Sequence, residues 1–410
     1  MAPVGRSRFQ NTENGLALLP PLHRGRHAPG SFVARPDYVY RPPATHDCVL
    51  SLERQETTRP APVGVAEAER RRQADFRGQE TCRYPGKRIE GSLVGALARR
   101  HGLAEDRFVV GNGIMNLLAT VYSAFLRPGD RVVVPTPGFW PAYSFAVQRG
   151  VGVLMPRYRW GVADGARQAL VFPEDELRQA LQNRLVRLCY LCAPDNPTGH
   201  AHDPAWLREI VREHPHVLFV IDAAYWAYDH FERSATGSIR DGLATQAAAA
   251  LVREEAPNVL GAFTFSKHYA LANHRVGYLI GVPELVETVA YHLGPYGMSE
   301  IDLALAYYNL QNDAYAEENV RATVRNKRRL ESALAELGVP FLSGAHNAIA
   351  LQGPDWQPRL RKAGIAVRPL TYFEGIPNLL EDHVRFAVPT DHENTEFLLA
   401  ALRRVADGRT

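Results

Sequence analysis

From residue 107 onward the chain alternates short, wholly apolar runs with longer stretches whose apolar positions recur every three or four residues. The first pattern predicts buried strands, the second amphipathic helices. Residues 108–110 read as a strand that leads through Gly111-Asn112-Gly113 into a helix over about 115–126. Pro128-Gly129-Asp130 turns the chain into a strand at 131–134, and a helix follows over about 138–148. Further strands are expected at 185–192, 217–221, 259–263 and 276–280, with a helix at about 205–213. Strands apolar on both sides and separated by helices belong in a mostly parallel sheet covered on both faces.

After residue 280 the pattern changes. Residues 301–337 are charged and helical with a break near Asn312. Short strands at 348–351, 365–368 and 383–388 then alternate with helices at 358–362 and 393–405. The expected fold is α/β: a three-layer α/β/α large domain over 84–299, with a mostly parallel sheet, and a smaller α+β domain over 300–410. Residues 48–83 supply the N-terminal part of the small domain, with a strand at 48–55 and a helix at 66–77. A helix at 92–101 opens the large one. Residues 1–47, rich in Arg, Pro, Gly and His and weakly periodic, read as an N-terminal arm: a tail, a cover over a partner subunit, or a partly disordered segment.

Composition changes this picture little. A chain of 410 residues is too long for one simple core. A net charge of +3 implies no acidic partner. Cys189 and Cys192 match a C-x-x-C spacing, but they lie in an apolar strand with no second pair to complete a zinc site. No run approaches the ~18 apolar residues of a membrane helix, and no secretory signal stands out, so a cytoplasmic location is expected. One count does matter. Of 47 basic residues only four are lysine: Lys87, Lys267, Lys327 and Lys362. Amine chemistry therefore has few candidates.

In parallel sheets function collects at the carboxyl ends of strands, and the unusual residues follow strands here. Lys267 lies just past one strand, three residues after Thr264 and eight before Arg275. That setting suits a lysine holding an aldehyde beside an anion site, which points to pyridoxal 5′-phosphate (PLP). Asp222 ends a buried strand, where a carboxylate needs a partner; it suits a pyridinium N–H, or else caps the next helix. Asn196-Pro197-Thr198-Gly199 is a turn whose Asn196 amide can donate to a ring oxygen, as can Tyr225. Phe139 and Trp140 are core residues or a stacking face for the cofactor. Gly111-Asn112-Gly113, between strand and helix, suits phosphate through backbone N–H groups. As a dinucleotide fingerprint it fails, because Asn116 replaces the third glycine.

Taken together, Asn196-Pro197-Thr198-Gly199, Asp222-Ala223-Ala224-Tyr225, Ser266-Lys267 through Arg275-Val276-Gly277-Tyr278, and Arg385-Phe386-Ala387-Val388 resemble the fold-type-I PLP-dependent enzymes of aminotransferase class I/II. The likeness spans residues 84 to 402 and is nearest to histidinol-phosphate-type aminotransferases. The resemblance implies an aspartate-aminotransferase-like fold with Lys267 as the Schiff-base lysine and proton shuttle. It implies Asp222 at the pyridine nitrogen and Asn196 and Tyr225 at the ring hydroxyl. Thr264, Arg275 and the backbone of Gly113, Ile114 and Met115 would hold the phosphate, and Phe139 would stack on the ring. Tyr84 would reach the cofactor of a neighbouring subunit, which implies a homodimer with shared sites. Arg385 would grip a substrate carboxylate, with Arg368 as a second substrate-side arginine. No metal, nucleic acid or membrane is implied.

The sequence also departs from the family. Ala223 stands where an acidic residue is usual, Ile114 and Met115 where polar residues are common, and His268, Asn273 and His274 where small residues are. An Asn-Glu-x-Pro-like motif near the N-terminus is not recognisable. Three functions follow: an aminotransferase acting on an amino acid or related amine; a PLP enzyme of specialised metabolism catalysing β/γ-replacement, cyclisation, C–C bond formation or oxidation; or a PLP-binding regulator. For the last, residues 1–47 are too short to carry the usual DNA-binding module.

Overall fold

The computed structural model describes residues 48–59, 84–234, 238–239, 242–370 and 378–408, together with the backbone of the strands Gln10–Asn11 and Ala17–Leu19. The helix expected at 66–77 and most of the N-terminal arm lie outside these residues.

A nine-stranded sheet forms the centre. Its order is Gln10–Asn11, Ala17–Leu19, Gly152–Met155, Arg131–Val133, Val186–Cys192, Leu218–Asp222, Val259–Thr264, Val276–Ile280, Phe108–Asn112. The five strands from Gly152–Met155 to Val259–Thr264 pair in parallel. Val276–Ile280 runs antiparallel to both of its neighbours. The strands from 218 to 222, 259 to 264 and 276 to 280 are buried at every position, as expected for a sheet covered by helices. The helices Lys87–His101, Gly113–Phe125, Trp140–Gln148, Ala247–Arg253 and Pro283–Leu293 pack against it.

Most elements match their expected bounds within two or three residues, and the helical break near Asn312 separates Glu300–Leu310 from Asp313–Glu336. The strand Gly152–Met155 was not anticipated. Its four residues are short but all buried, and it receives the strand Ala17–Leu19 along its free edge. Covering that edge with the N-terminal arm satisfies backbone groups that an open edge leaves unpaired.

The second sheet has the order Arg368–Pro369, His383–Ala387, Ala348–Gln352, Phe341–Ser343, Arg167–Gln168. Beside it Leu50–Ser51 pairs in parallel with Ile365–Ala366, tying the N-terminal segment to the smaller unit. The helix Asp313–Glu336 joins the two cores: Ala316, Val320 and Val324 pack in the larger, Leu330, Ala333 and Leu334 in the smaller. No described helix is long and apolar enough to cross a membrane.

The two units also meet backbone to backbone. Gly199, at φ 71°, lies against Gly344, and the Ala345 N–H donates to the Gly199 carbonyl at 2.8 Å. A Cβ built on Gly344 would sit 2.5 Å from the Gly199 carbonyl oxygen. Gly344→Ala is therefore expected to cost about 2 kcal/mol by overpacking, read as a lower urea midpoint. Gly91→Ala is the control: it lies within a helix with nothing within 4 Å of its Cβ position, so stability should hold or rise by about 0.5–1 kcal/mol.

Candidate active site

The parallel register brings the chemistry to one edge. Cys192, Asp222 and Ala262 stand opposite one another at the strand ends, so Asn196, Tyr225 and Lys267, a few residues further on, leave the sheet together. Asp222 is buried. Its carboxylate accepts from the Tyr190 hydroxyl at 2.6 Å and the Ala224 N–H at 3.0 Å. Among the described residues it has no salt-bridge partner within 4 Å. Burial outweighs those two hydrogen bonds and pushes its pKa up to about 6.

Among the described residues Lys267 has no carboxylate within that distance either. Its ammonium donates to the carbonyls of Gln55 at 3.1 Å and Arg54 at 3.3 Å and lies 5.4 Å from the centre of the Tyr225 ring. Burial, with the nearby Arg385 charge next, holds its pKa down to about 8. A buried anion and a desolvated cation, neither paired, mark a functional site more than a structural one.

Asn196, Tyr225 and Arg385 form one chain of hydrogen bonds. An Arg385 terminal nitrogen donates to Asn196 Oδ1 at 2.7 Å, and Asn196 Nδ2 to the Tyr225 oxygen at 3.2 Å. The Tyr225 hydroxyl then donates to Gln55 Oε1 at 2.9 Å. The other Arg385 terminal nitrogen reaches the Glu53 carbonyl at 3.3 Å, while its Nε has no partner among the described residues. Arg368 stands directly opposite Arg385 in the antiparallel pairing and is likewise buried.

The third group is suited to an anion. Gly113 begins the helix Gly113–Phe125 at φ 73°, and a Cβ there would lie 2.6 Å from a terminal nitrogen of Arg275. Only glycine leaves that space free and adopts that φ without strain. Arg275 donates to the Ala272 carbonyl at 2.9 Å and lies 3.4 Å from Ser266 Oγ, which accepts from Thr264 Oγ1 at 3.0 Å. Ile114 and Met115 form the first helical turn with Gly113, where backbone N–H groups have no intrahelical partner.

Phe139 precedes the helix Trp140–Gln148, and its ring lies 6.2 Å from that of Tyr190, nearly parallel. Tyr84 is elsewhere: it is 79% exposed and stacks on Tyr296 at 4.6 Å. The departures from the family pattern do not reach the Lys267 ammonium. His268 is buried against the rings of Trp226 and Tyr269, with neither nitrogen bonded among the described residues. His274 binds Asp302 at 2.9 Å, and Asn273 is exposed. Three contributors escaped the sequence reading: Gln55, Tyr190 and Ser266. Ser266 adjoins the lysine and Tyr190 lies in the neighbouring strand, but Gln55 arrives from 170 residues before Tyr225, with no local signal.

Residues 54–402 match aminotransferase class I and II. The chain belongs to this family. It is 32% identical over 339 residues to histidinol-phosphate aminotransferase 2 of Pseudomonas fluorescens, covering 80% of this chain and 82% of that protein. It is 31% identical over 325 residues to the aromatic amino acid aminotransferase of Thermobifida fusca, covering 78% and 81%. In fold it is similar to the crystal structure of histidinol-phosphate aminotransferase from Sinorhizobium meliloti in complex with PLP, at a TM-score of 0.70 and 22% identity over 88% of this chain and 92% of that one. The chain is thus a transferase of a PLP-dependent family.

The residues of this aminotransferase fit that cofactor. An unpaired buried carboxylate, a desolvated lysine and a glycine-lined helix start facing an arginine match a pyridine nitrogen, an aldehyde and a phosphate. In the cofactor-free protein the carboxylate carries a cost. With the folded pKa above the ordinary 3.8, the native state binds the extra proton, so this group's stabilisation is full below about pH 4 and lost as pH rises through about 6. Between pH 4 and pH 7.5, Asp222→Asn should gain up to about 3 kcal/mol on the wild type in urea unfolding, while losing cofactor affinity.

Proposed function

We propose that this chain is an aminotransferase for an amino acid or related amine, with Lys267 as the residue that bonds PLP. The observation that carries this reading is a pair of opposite charges on one sheet edge, Asp222 and Lys267, each without an ion-pair partner among the described residues. Asp222 would hold the pyridine nitrogen protonated, and a ring N–H would offset the burial that now disfavours its charge. Asn196 and Tyr225 would face the ring oxygen and Phe139 the ring. Thr264, Arg275 and the N–H groups of Gly113, Ile114 and Met115 would take the phosphate; Ser266 joins them. Bound there, the cofactor supplies an electron sink that acidifies the substrate's Cα–H. Lys267 Nζ, with its pKa lowered to about 8, is a free amine far more often at neutral pH than an exposed lysine. It is suited to take and return the proton at Cα.

Arg385 would bind the substrate carboxylate. Its guanidinium is fixed by Asn196 and Glu53, and its Nε keeps an unused donor. Arg368 beside it adds positive charge. Tyr84 has no place in its own chain's site. With Tyr296, Tyr291 and Tyr308 it gives the large unit exposed aromatic rings, which supports a homodimer in which Tyr84 reaches the partner's phosphate site.

Borohydride reduction of the PLP-loaded protein should fix the cofactor on the Lys267 peptide, and Lys267→Ala should abolish both that adduct and the visible band. A label on another lysine would overturn the assignment. In single-turnover mixes with an amino-acid panel, the cofactor should accumulate in its amino form alongside a keto acid; a product that keeps its nitrogen would favour non-transaminating chemistry. Arg385→Lys should raise KM about 10–100-fold, as expected for a lost bidentate contact worth about 1.5–3 kcal/mol.

A further inference from the structure

Gln55 is the residue most tightly drawn into the site that no cofactor role accounts for. It is 2% exposed and adopts φ 54°, a left-handed conformation that few residues other than glycine take up without strain. What holds it there is a closed set of contacts. Its Oε1 accepts from the Tyr225 hydroxyl at 2.9 Å, and its Nε2 lies 3.4 Å from Asn347 Oδ1. Asn347 Nδ2 donates back to the Gln55 carbonyl at 3.1 Å, and the same carbonyl takes the Lys267 ammonium at 3.1 Å. One residue from the smaller unit therefore touches both Lys267 and Tyr225.

The direction of these bonds has a consequence. A tyrosine hydroxyl carries one proton. Asn196 Nδ2 donates to the Tyr225 oxygen, so that oxygen is an acceptor on one side, and its single proton points to Gln55 on the other. As long as Gln55 holds it, Tyr225 has no proton to give to a second acceptor.

We propose that Gln55 is a positioning residue that competes with the bound cofactor's ring oxygen for the Tyr225 hydroxyl proton. The inference rests on the assignment of Lys267 as the cofactor lysine. When the linkage nitrogen loses its proton, the ring oxygen no longer shares its negative charge with that proton. A donor to the oxygen then stabilises the deprotonated state more than the protonated one. A Tyr225 proton kept on Gln55 withholds that stabilisation, so the linkage keeps its proton to higher pH.

The readout is the pH midpoint of the visible band of the PLP-loaded protein. Gln55→Met preserves length but removes both amide contacts; Gln55→Gly also relieves the strained φ and covers the case in which the methionine variant folds poorly. The charged and titratable groups facing Lys267 and Tyr225 are Arg385, Glu56, Asp222, Arg275, Cys192 and Tyr228, and neither substitution alters any of them. Both variants should lower the midpoint by about one pH unit, the size of one hydrogen bond to a charged group. Tyr225→Phe should abolish the effect of Q55M. An unchanged midpoint in both Gln55 variants, or the same fall with Tyr225→Phe already in place, overturns the proposal while leaving Lys267 as the cofactor lysine. A wild-type protein with no lysine-linked band overturns both.

Discussion

A carboxylate at the end of a fully buried strand has little water to stabilise its charge, and the site is arranged around that fact. Asp222 keeps only a tyrosine hydroxyl and a backbone N–H, too little to offset burial in a low-dielectric interior. Lys267 faces the mirror-image problem, its ammonium resting on two carbonyl oxygens. Direct pairing would have cancelled both charges and left a structural ion pair. Among the described residues the fold instead leaves each without an ion-pair partner on the same edge, an arrangement that suits a ligand carrying both a ring N–H and an aldehyde.

The sheet explains why these groups converge. Parallel pairing with aligned ends sets Cys192, Asp222 and Ala262 side by side, so residues just past each strand share one face of the molecule. This was legible in the sequence because apolar runs of five or six residues ended in conspicuous polar ones, and because a chain so poor in lysine singles out Lys267. The family motifs sharpened the roles of Asn196, Tyr225 and Arg275.

What escaped notice depended on contacts distant in sequence. Gln55 looks unremarkable among the polar residues 53–59, and its importance rests on meeting Tyr225 and Asn347 in space. The strand Gly152–Met155 was missed because four residues give too little periodicity to set against a neighbouring helix. His268, Asn273 and His274 stood out as unusual residue types, yet His268 lies among aromatic rings, Asn273 at the surface and His274 on Asp302. An unusual residue type near Lys267 does not show where its side chain points.

The N-terminal segment links the two units at the level of single hydrogen bonds. Thr57 and Thr58 fasten it to Thr390 and Asp391 at the start of the last helix, and Thr57 also donates to Asn319. Between those ties and the strand Leu50–Ser51, the segment presents the Glu53 carbonyl to Arg385 and Gln55 to Lys267 and Tyr225. Arg385, Asn196, Tyr225 and Gln55 therefore form one directed chain, each link donating to the next, with the proposed carboxylate grip at one end and the neighbour of the proposed cofactor lysine at the other. In such a chain each bond constrains the next: Asn196 Oδ1 is held by Arg385, so Nδ2 turns to Tyr225, whose single proton then faces Gln55. A substrate carboxylate held by Arg385, as proposed, would therefore bear on the amide that faces Tyr225. If Arg385 grips the substrate carboxylate as proposed, its recognition and the placement of the Tyr225 proton act through the same four side chains.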